Sequence, residues 1–183
     1  MSYTQNWTDD RLPLWLPFVQ HLIGSENVNA LEIGAFEGRS TVWMLEHILT
    51  HPTSRIVCLD PFYHNRGIDT KPTDYLVNFV DNTTSYRERV RILQAFSRDI
   101  HAETLLEFAN GYDLIYIDAS HWAGETVNEL RLAWTVAKPG ALIIFDDYGG
   151  ELKDRVDEWL KPHFANGRVV ELHRAYQLII QVR

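Results

Sequence analysis

Short apolar runs alternate with longer amphipathic ones along most of this chain, and few architectures accept that order. Asn29-Ala-Leu-Glu-Ile-Gly34 is a brief apolar run closed by glycine, the pattern of a buried strand. Ser40 to Thr50 then sets Val42, Leu45, Ile48 and Leu49 at helical spacing, with Pro52 just beyond. Arg55 to Leu59 reads as a strand, a turn-rich stretch runs from Pro61 to Pro72, and Tyr75, Leu76, Phe79 and Val80 suggest a helix. Val90 to Leu93 and Tyr112 to Ile117 read as strands on either side of a helix over Ala102 to Ala109. Trp122 to Ala137 is amphipathic and is stopped by Lys138-Pro-Gly140, Ala141 to Phe145 is the most apolar strand, and Glu151 to Leu160 is helical. Arg168 to Leu172 and Tyr176 to Val182, separated by His173-Arg174-Ala175, read as a hairpin. Such alternation implies parallel βαβ units with right-handed crossovers. The expected fold is a doubly wound, Rossmann-like α/β sheet of seven strands, mostly parallel, with helices on both faces and an antiparallel strand from the C-terminal hairpin.

Composition removes other classes. The chain has 183 residues, with 17 Lys+Arg against 25 Asp+Glu and a net charge of −8. With 6 Trp, 8 Tyr and 8 Phe and no low-complexity run, it is not a disordered sequence. Its one cysteine, Cys58, excludes a disulfide scaffold and suggests a reducing, cytoplasmic setting. No run approaches the ~18 apolar residues of a membrane span, and the polar N-terminus does not resemble a signal peptide. The acidic balance disfavours nucleic acid as a partner; self-association is left open. The organisation expected is one domain over residues 1–183, with an accessory helix in the N-terminal region, residues 1–28, covering the sheet or its mouth.

In doubly wound sheets ligands sit beyond the carboxyl ends of the strands, where strand order reverses. The residues there are distinctive. Glu32-Ile-Gly-Ala-Phe-Glu-Gly38 links the first strand to the first helix, and Asp60 ends the second strand. Gly34 suits a sharp turn, and Gly38 suits close approach of a ligand or of the helix to the sheet. A carboxylate at Asp60 can accept from both hydroxyls of a ribose. The glycine spacing is not the G-x-G-x-x-G of pyrophosphate sites, and Glu32 and Glu37 would repel a phosphate. A ligand with a ribose, a positive charge and no phosphate fits better, and S-adenosylmethionine (SAM) is one. Gly34 and Gly38 could also be turn and packing glycines only.

Glu32-Ile-Gly-Ala-Phe-Glu-Gly-Arg-Ser40, taken with Asp60, resembles the cofactor site of class I SAM-dependent methyltransferases. The resemblance extends through Asp113-Leu-Ile-Tyr-Ile-Asp-Ala-Ser-His121 and Lys138-Pro-Gly-Ala-Leu-Ile-Ile-Phe-Asp-Asp-Tyr148. Over roughly Asn29 to Tyr148 the chain is similar to the small bacterial methyltransferase domain 24 group, related to metal-dependent O-methyltransferases acting on sugars and catechols. The resemblance implies Glu32 and Gly34 near the methionine part of SAM, with Ala35, Gly38, Ser40 and Asp118 in the same cofactor site. It implies Asp60 on the ribose and Ala95 to Asp99 near the adenine, with Ser97 at a position the group often fills with serine. Phe62 could pack on the adenine or be a plain core aromatic.

Asp118 follows the fourth strand and Asp146-Asp147 the fifth. Neighbouring strands lie ~4.8 Å apart, so three carboxylates should meet, at a cost unless they are protonated or neutralised. A Mg²⁺ ion would neutralise them, and acids at these positions hold the metal in the related sugar and catechol enzymes. Asp118 as a helix cap, or one solvated acid of the pair, is the alternative. His121, three residues past Asp118, is the leading general base, with Tyr148 and His64 as weaker candidates for substrate contact. The activity expected is methyl transfer from SAM to a hydroxyl of a small-molecule acceptor, with catalytic Asp118 and His121. An NAD(P)-dependent oxidoreductase and a non-catalytic nucleoside-binding domain are the alternatives.

Overall fold

A computed structural model describes residues 3–63, 74–119 and 123–183. The strands are β1 (Asn29–Ile33), β2 (Arg55–Asp60), β3 (Val90–Gln94), β4 (Tyr112–Ile117), β5 (Ala137–Phe145), β6 (Val169–Arg174) and β7 (Leu178–Val182). The helices are α1 (Leu16–Val19), α2 (Arg39–His47), α3 (Tyr75–Thr83), α4 (Ala102–Leu106), α5 (Ala123–Val136) and α6 (Gly150–Ala165). One sheet has the order β3-β2-β1-β4-β5-β7-β6. β7 runs antiparallel to both of its neighbours, and every other pairing is parallel. Strand order therefore reverses between β1 and β4, which is where a doubly wound sheet opens a crevice.

Side chains alternate between the two faces of the sheet. One face, with Ala30, Ile56, Cys58, Leu114, Tyr116 and Ile144, is covered by the N-terminal segment and by Met44, Leu45 and Phe79 of α2 and α3. The other, with Leu31, Val57, Leu59, Ile115 and Ile143, is covered by Leu105, Leu130, Ala133, Val156 and Leu160 of α4, α5 and α6. Both faces are dry, so the strands read as continuous apolar runs instead of alternating ones.

Element boundaries differ from the sequence reading in instructive ways. The N-terminal segment is not one helix: short turns over Leu12–Trp15, Leu16–Val19 and Gln20–Leu22 follow one another. Pro13 and Pro17 each lack a backbone donor, so no continuous ladder forms. The segment still buries Leu12, Trp15, Val19 and Leu22 on the sheet. α2 stops at His47, because Ile48 leaves ideal helical geometry and both Ile48 and Leu49 turn into the core. β5 starts at Ala137, which pairs with Tyr112 before an irregularity in the ladder. Lys138-Pro-Gly140 thus interrupts a strand as well as ending a helix, with Gly140 at positive φ. α6 runs through Pro162 for one further turn. The hairpin turn falls over residues 175–177, where the Ala175 N–H donates to the Gln177 carbonyl.

Among the described residues no helix is long and apolar enough to cross a membrane. Phe79 is the keystone under the crevice: fully buried on α3, it touches Phe62 edge-on at 5.3 Å between ring centroids. A Cβ placed on Gly38 would meet the same ring at 3.0 Å. Phe79→Ala is expected to cost about 3–5 kcal/mol, read as a lower urea midpoint at unchanged slope. Val77→Ala, on the exposed side of the same helix, should stay within ~0.5 kcal/mol.

Candidate active site

Backbone hydrogen bonds carry the parallel register past the last strand residues. The Gly34 N–H donates to the Leu59 carbonyl at 2.9 Å, Asp118 N–H to Ile33 at 2.8 Å, and Asp146 N–H to Ile117 at 2.9 Å. Asp60, Gly34, Asp118 and Asp146 therefore form a row along the carboxyl edge, each on the next strand. Gly34 has φ +92°, and a Cβ there would stand 2.0 Å from the Asp118 carbonyl oxygen. Only glycine lets the β1 loop lie against the β4 loop this closely.

Asp60 organises the loop. Its Oδ2 accepts from the backbone N–H groups of Ala35 at 2.8 Å and Phe36 at 2.9 Å, and its Oδ1 from Phe62 N–H at 2.6 Å. Three donors converge on one half-buried carboxylate at the mouth, holding Phe36 and Phe62 at positive φ. A carboxylate oxygen accepts more than one hydrogen bond, so this anchoring is compatible with a ribose hydroxyl on the same group.

Glu32 is fully buried, with Oε1 accepting from the Ser40 hydroxyl and Oε2 from the Thr41 hydroxyl and, at 3.6 Å, from the Cys58 thiol. Burial raises its carboxyl to about 8, against the lowering by those donors. Ser40 sits in the first turn of α2, so Glu32 and Ser40 face each other across the strand–helix junction. The resemblance implied Glu32 near the methionine part of SAM; its oxygens are turned to the hydroxyls of α2. Glu37 is also buried: its oxygens accept from Asn78 Nδ2 at 2.7 Å and Thr4 N–H at 2.6 Å. Gly38 lies against Phe79 and Thr83 of α3, where a Cβ would meet both side chains.

Two of the adenine-side residues have other partners. Phe62 packs in the core against Phe79. The Ser97 hydroxyl donates to Glu129 Oε1 on α5 at 2.8 Å, which ties the turn after β3 to that helix.

The carboxylates beyond β4 and β5 meet only in part. The Tyr116 hydroxyl stands between two of them, 2.9 Å from Asp118 Oδ2 and 3.2 Å from Asp146 Oδ2. Asp146 Oδ1 accepts from Gln177 Nε2 at 2.8 Å, and Arg11 lies 3.9 Å from Oδ2. Asp146 is buried, and burial pushes its carboxyl up. Asp147 adopts φ +51°. Among the described residues no group of three or more His, Cys, Asp or Glu side chains is placed to hold a metal ion. The residues present do not fit the Mg²⁺ site expected for Asp118, Asp146 and Asp147, because the Tyr116 hydroxyl stands between the facing oxygens of Asp118 and Asp146 and Gln177 donates to the other oxygen of Asp146.

Tyr148 is buried, and its hydroxyl donates to Asp157 and accepts from Arg174. Together with Lys153 and Arg174, which also donate to Asp157, the Tyr148 hydroxyl holds that carboxyl down at about 2 against its burial. His121 and His64 lie outside the described residues. Sequence reasoning missed Tyr116, Gln177 and Arg11. Tyr116 could have been found, since it stands near the end of β4, two positions before Asp118, where strand alternation continued one residue further would put both on one face.

A glycine turn and an acid at consecutive strand ends, beside the strand-order reversal, define the nucleoside-binding class of doubly wound proteins. A family model described as a methyltransferase domain, of the domain 24 group, matches residues 31–148. The chain belongs to this methyltransferase family. A curated relative, the uncharacterized protein R132 of Acanthamoeba polyphaga mimivirus, is 24% identical over 127 residues. That match covers 67% of this chain, and the chain spans about half (52%) of the relative's length. Among solved structures, an O-methyltransferase from Bacillus cereus in complex with S-adenosylhomocysteine (SAH) has TM-score 0.70 at 17% identity. It is matched over 99% of this chain and 84% of its own. The O-methyltransferase TomG from Streptomyces achromogenes, in complex with SAM, has TM-score 0.69 at 16% identity, over 97% and 81% of the two chains. At such identities these two neighbours establish the fold.

The Glu32 carboxyl makes the site's pH response testable. Its folded-state value lies above the ordinary 4.5. At neutral pH the folded chain therefore keeps a proton that the unfolded chain has released. This contribution to stability is greatest below 4.5 and declines as pH rises towards about 8. Glu32→Gln keeps the side-chain shape and cannot ionise, so the fall of melting temperature across that window should flatten. An unchanged slope would assign the decline to other groups.

Proposed function

We propose that this protein transfers a methyl group from SAM to a hydroxyl of a small molecule. The observation that carries the reading is the 34–36 loop held by Asp60 at the strand-order reversal, inside the segment that matches the methyltransferase family. Oxygen as the acceptor atom is supported by the O-methyltransferases among the structural neighbours. A small acceptor is supported by the net charge of −8, which opposes a polyanionic one. Residues 1–183 act as one unit in this reading, with residues 1–28 as an accessory region.

Bound in the crevice, SAM would supply an electrophilic methyl group on a sulfonium. The residues that would hold it are Asp60 and the backbone of Gly34 to Phe36, with Glu32 and Ser40 fixing the start of α2 behind them. Their work is positioning: a preset loop brings the acceptor oxygen into line with the transferred carbon, where most of the rate gain of such a reaction lies. The carboxylate of Asp118, beside Gly34, orients the acceptor at the mouth. His121, three positions further on, takes the acceptor's proton. Mg²⁺ assistance has no part in this reading, since the Asp118 and Asp146 oxygens that would bind it already accept from Tyr116 and Gln177.

Calorimetry on the purified chain tests the proposal. SAH should bind with one-to-one stoichiometry and NAD should not. Asp60→Ala, which releases the loop, should weaken SAH by roughly tenfold or more, the scale of one charge-assisted hydrogen bond. Heat from NAD with none from SAH would overturn the assignment in favour of an oxidoreductase.

A further inference from the structure

Five side chains run without a break from the N-terminal segment to the mouth of the site. Trp15 Nε1–H donates to Gln177 Oε1 at 2.8 Å, and Gln177 Nε2 donates to Asp146 Oδ1 at 2.8 Å. Asp146 Oδ2 and Asp118 Oδ2 then share the Tyr116 hydroxyl, at 3.2 and 2.9 Å. Trp15 and Tyr116 are fully buried and their rings pack at 4.6 Å, while Gln177 and Asp146 are also buried. The chemistry of each member sets the orientation of the next. An indole nitrogen only donates, so it takes the Gln177 carbonyl; the amide nitrogen is left for a carboxylate, which only accepts when ionised. Glutamine alone among residues of its size and shape presents an acceptor on one side and a donor on the other. Arg11, 3.9 Å from Asp146 Oδ2 and stacked 3.8 Å over the Tyr176 ring, adds positive charge from the same segment.

We propose that this chain of side chains takes the place of the divalent cation suggested by the acids after β4 and β5, with Gln177 and Tyr116 as positioning residues for Asp118. Two carboxylates at neighbouring strand ends repel unless something with positive or donor character stands between them. In this protein the Tyr116 hydroxyl stands there, and Gln177 satisfies the far oxygen of Asp146. Trp15 and Arg11 make the N-terminal segment a structural part of the site. The inference rests on the methyltransferase reading only for what the site is used for; the arrangement of the carboxylates stands apart from it.

Mn²⁺ is the probe, followed by electron paramagnetic resonance on the full chain with and without SAH. The wild-type protein should leave the free Mn²⁺ signal unchanged at stoichiometric metal. Tyr116→Phe keeps the ring and removes the hydroxyl, leaving facing carboxylates without their shared donor. It should gain Mn²⁺ affinity by roughly tenfold, the scale of a hydrogen bond to a charged group, and the gain should vanish when Asp118→Asn is added. If Tyr116→Phe does not fold, Gln177→Glu tests the same point by replacing the donor with a third carboxylate. In ¹H–¹⁵N spectra, assigned with Trp15→Phe, Gln177→Leu should move the Trp15 indole resonance. Wild-type Mn²⁺ binding that is lost in Asp118→Asn would overturn the proposal, as would a folded Tyr116→Phe with no gain of affinity. SAH calorimetry on the same samples separates this result from the methyltransferase reading: absent SAH binding counts against that reading and leaves the metal result intact.

Discussion

A carboxyl group buried at the end of the central strand sets the geometry around it. Glu32 has no exposure, and an unpaired ion in that position would cost several kcal/mol. Burial is tolerable because Ser40 and Thr41, in the first turn of α2, each turn a hydroxyl to one of its oxygens. Those contacts fix where α2 starts relative to β1, and hence the path of the five residues joining them. The path is tight enough that Gly34 must lie against the Asp118 backbone. Asp60 on the neighbouring strand then captures Ala35 and Phe36. The crevice is thus the outcome of a buried acid, a glycine and a half-buried acid acting in sequence.

Much of this was legible from residue order. Period and length alone distinguish the strands from the helices, and the parallel register follows once the helices must cross on both faces. Asp60, Gly34, Asp118 and Asp146 could be placed on one edge because strand ends in a doubly wound sheet align. Partners were less legible. Trp15 and Gln177 are 162 positions apart, and no local pattern announces a hydrogen bond between a turn of the N-terminal segment and a hairpin loop. The partners of Ser97 and Phe62 were illegible for a related reason. Their positions in the fold agree with the reading, but Glu129 on α5 and Phe79 on α3 reach them, and those helices are tied to them only by tertiary packing.

The acidic excess divides into groups with different physical fates. Asp113 pairs with Lys138 at 2.7 Å and accepts from Asn29 N–H, closing the amino end of the sheet. Asp157 gathers Tyr148, Lys153 and Arg174 beside β6 and is held well below the usual carboxylate range. Such exposed or half-exposed pairs contribute little each. Glu32, Glu37 and Asp146 are different, because all three are buried and each is answered by specific donors. Net charge describes the first group and says nothing about the second.

Neutral donors and a metal ion solve the problem of crowded carboxylates in opposite ways. A cation draws acids together, demands a set number of oxygens and leaves them exchangeable with water. Hydroxyl and amide donors hold acids apart at hydrogen-bond distance, and they must come from residues already committed to the core. Here the donors are Tyr116, with its ring packed on Trp15, and Gln177, with its far end fixed by the same indole. The rigidity of the sheet and of the N-terminal segment is thereby passed to Asp146 and on to Asp118. Fully satisfied buried polar networks specify one arrangement, and a missing member leaves a charge without a partner. A transfer reaction that depends on placing one oxygen in line with one carbon benefits from that rigidity more than from charge alone.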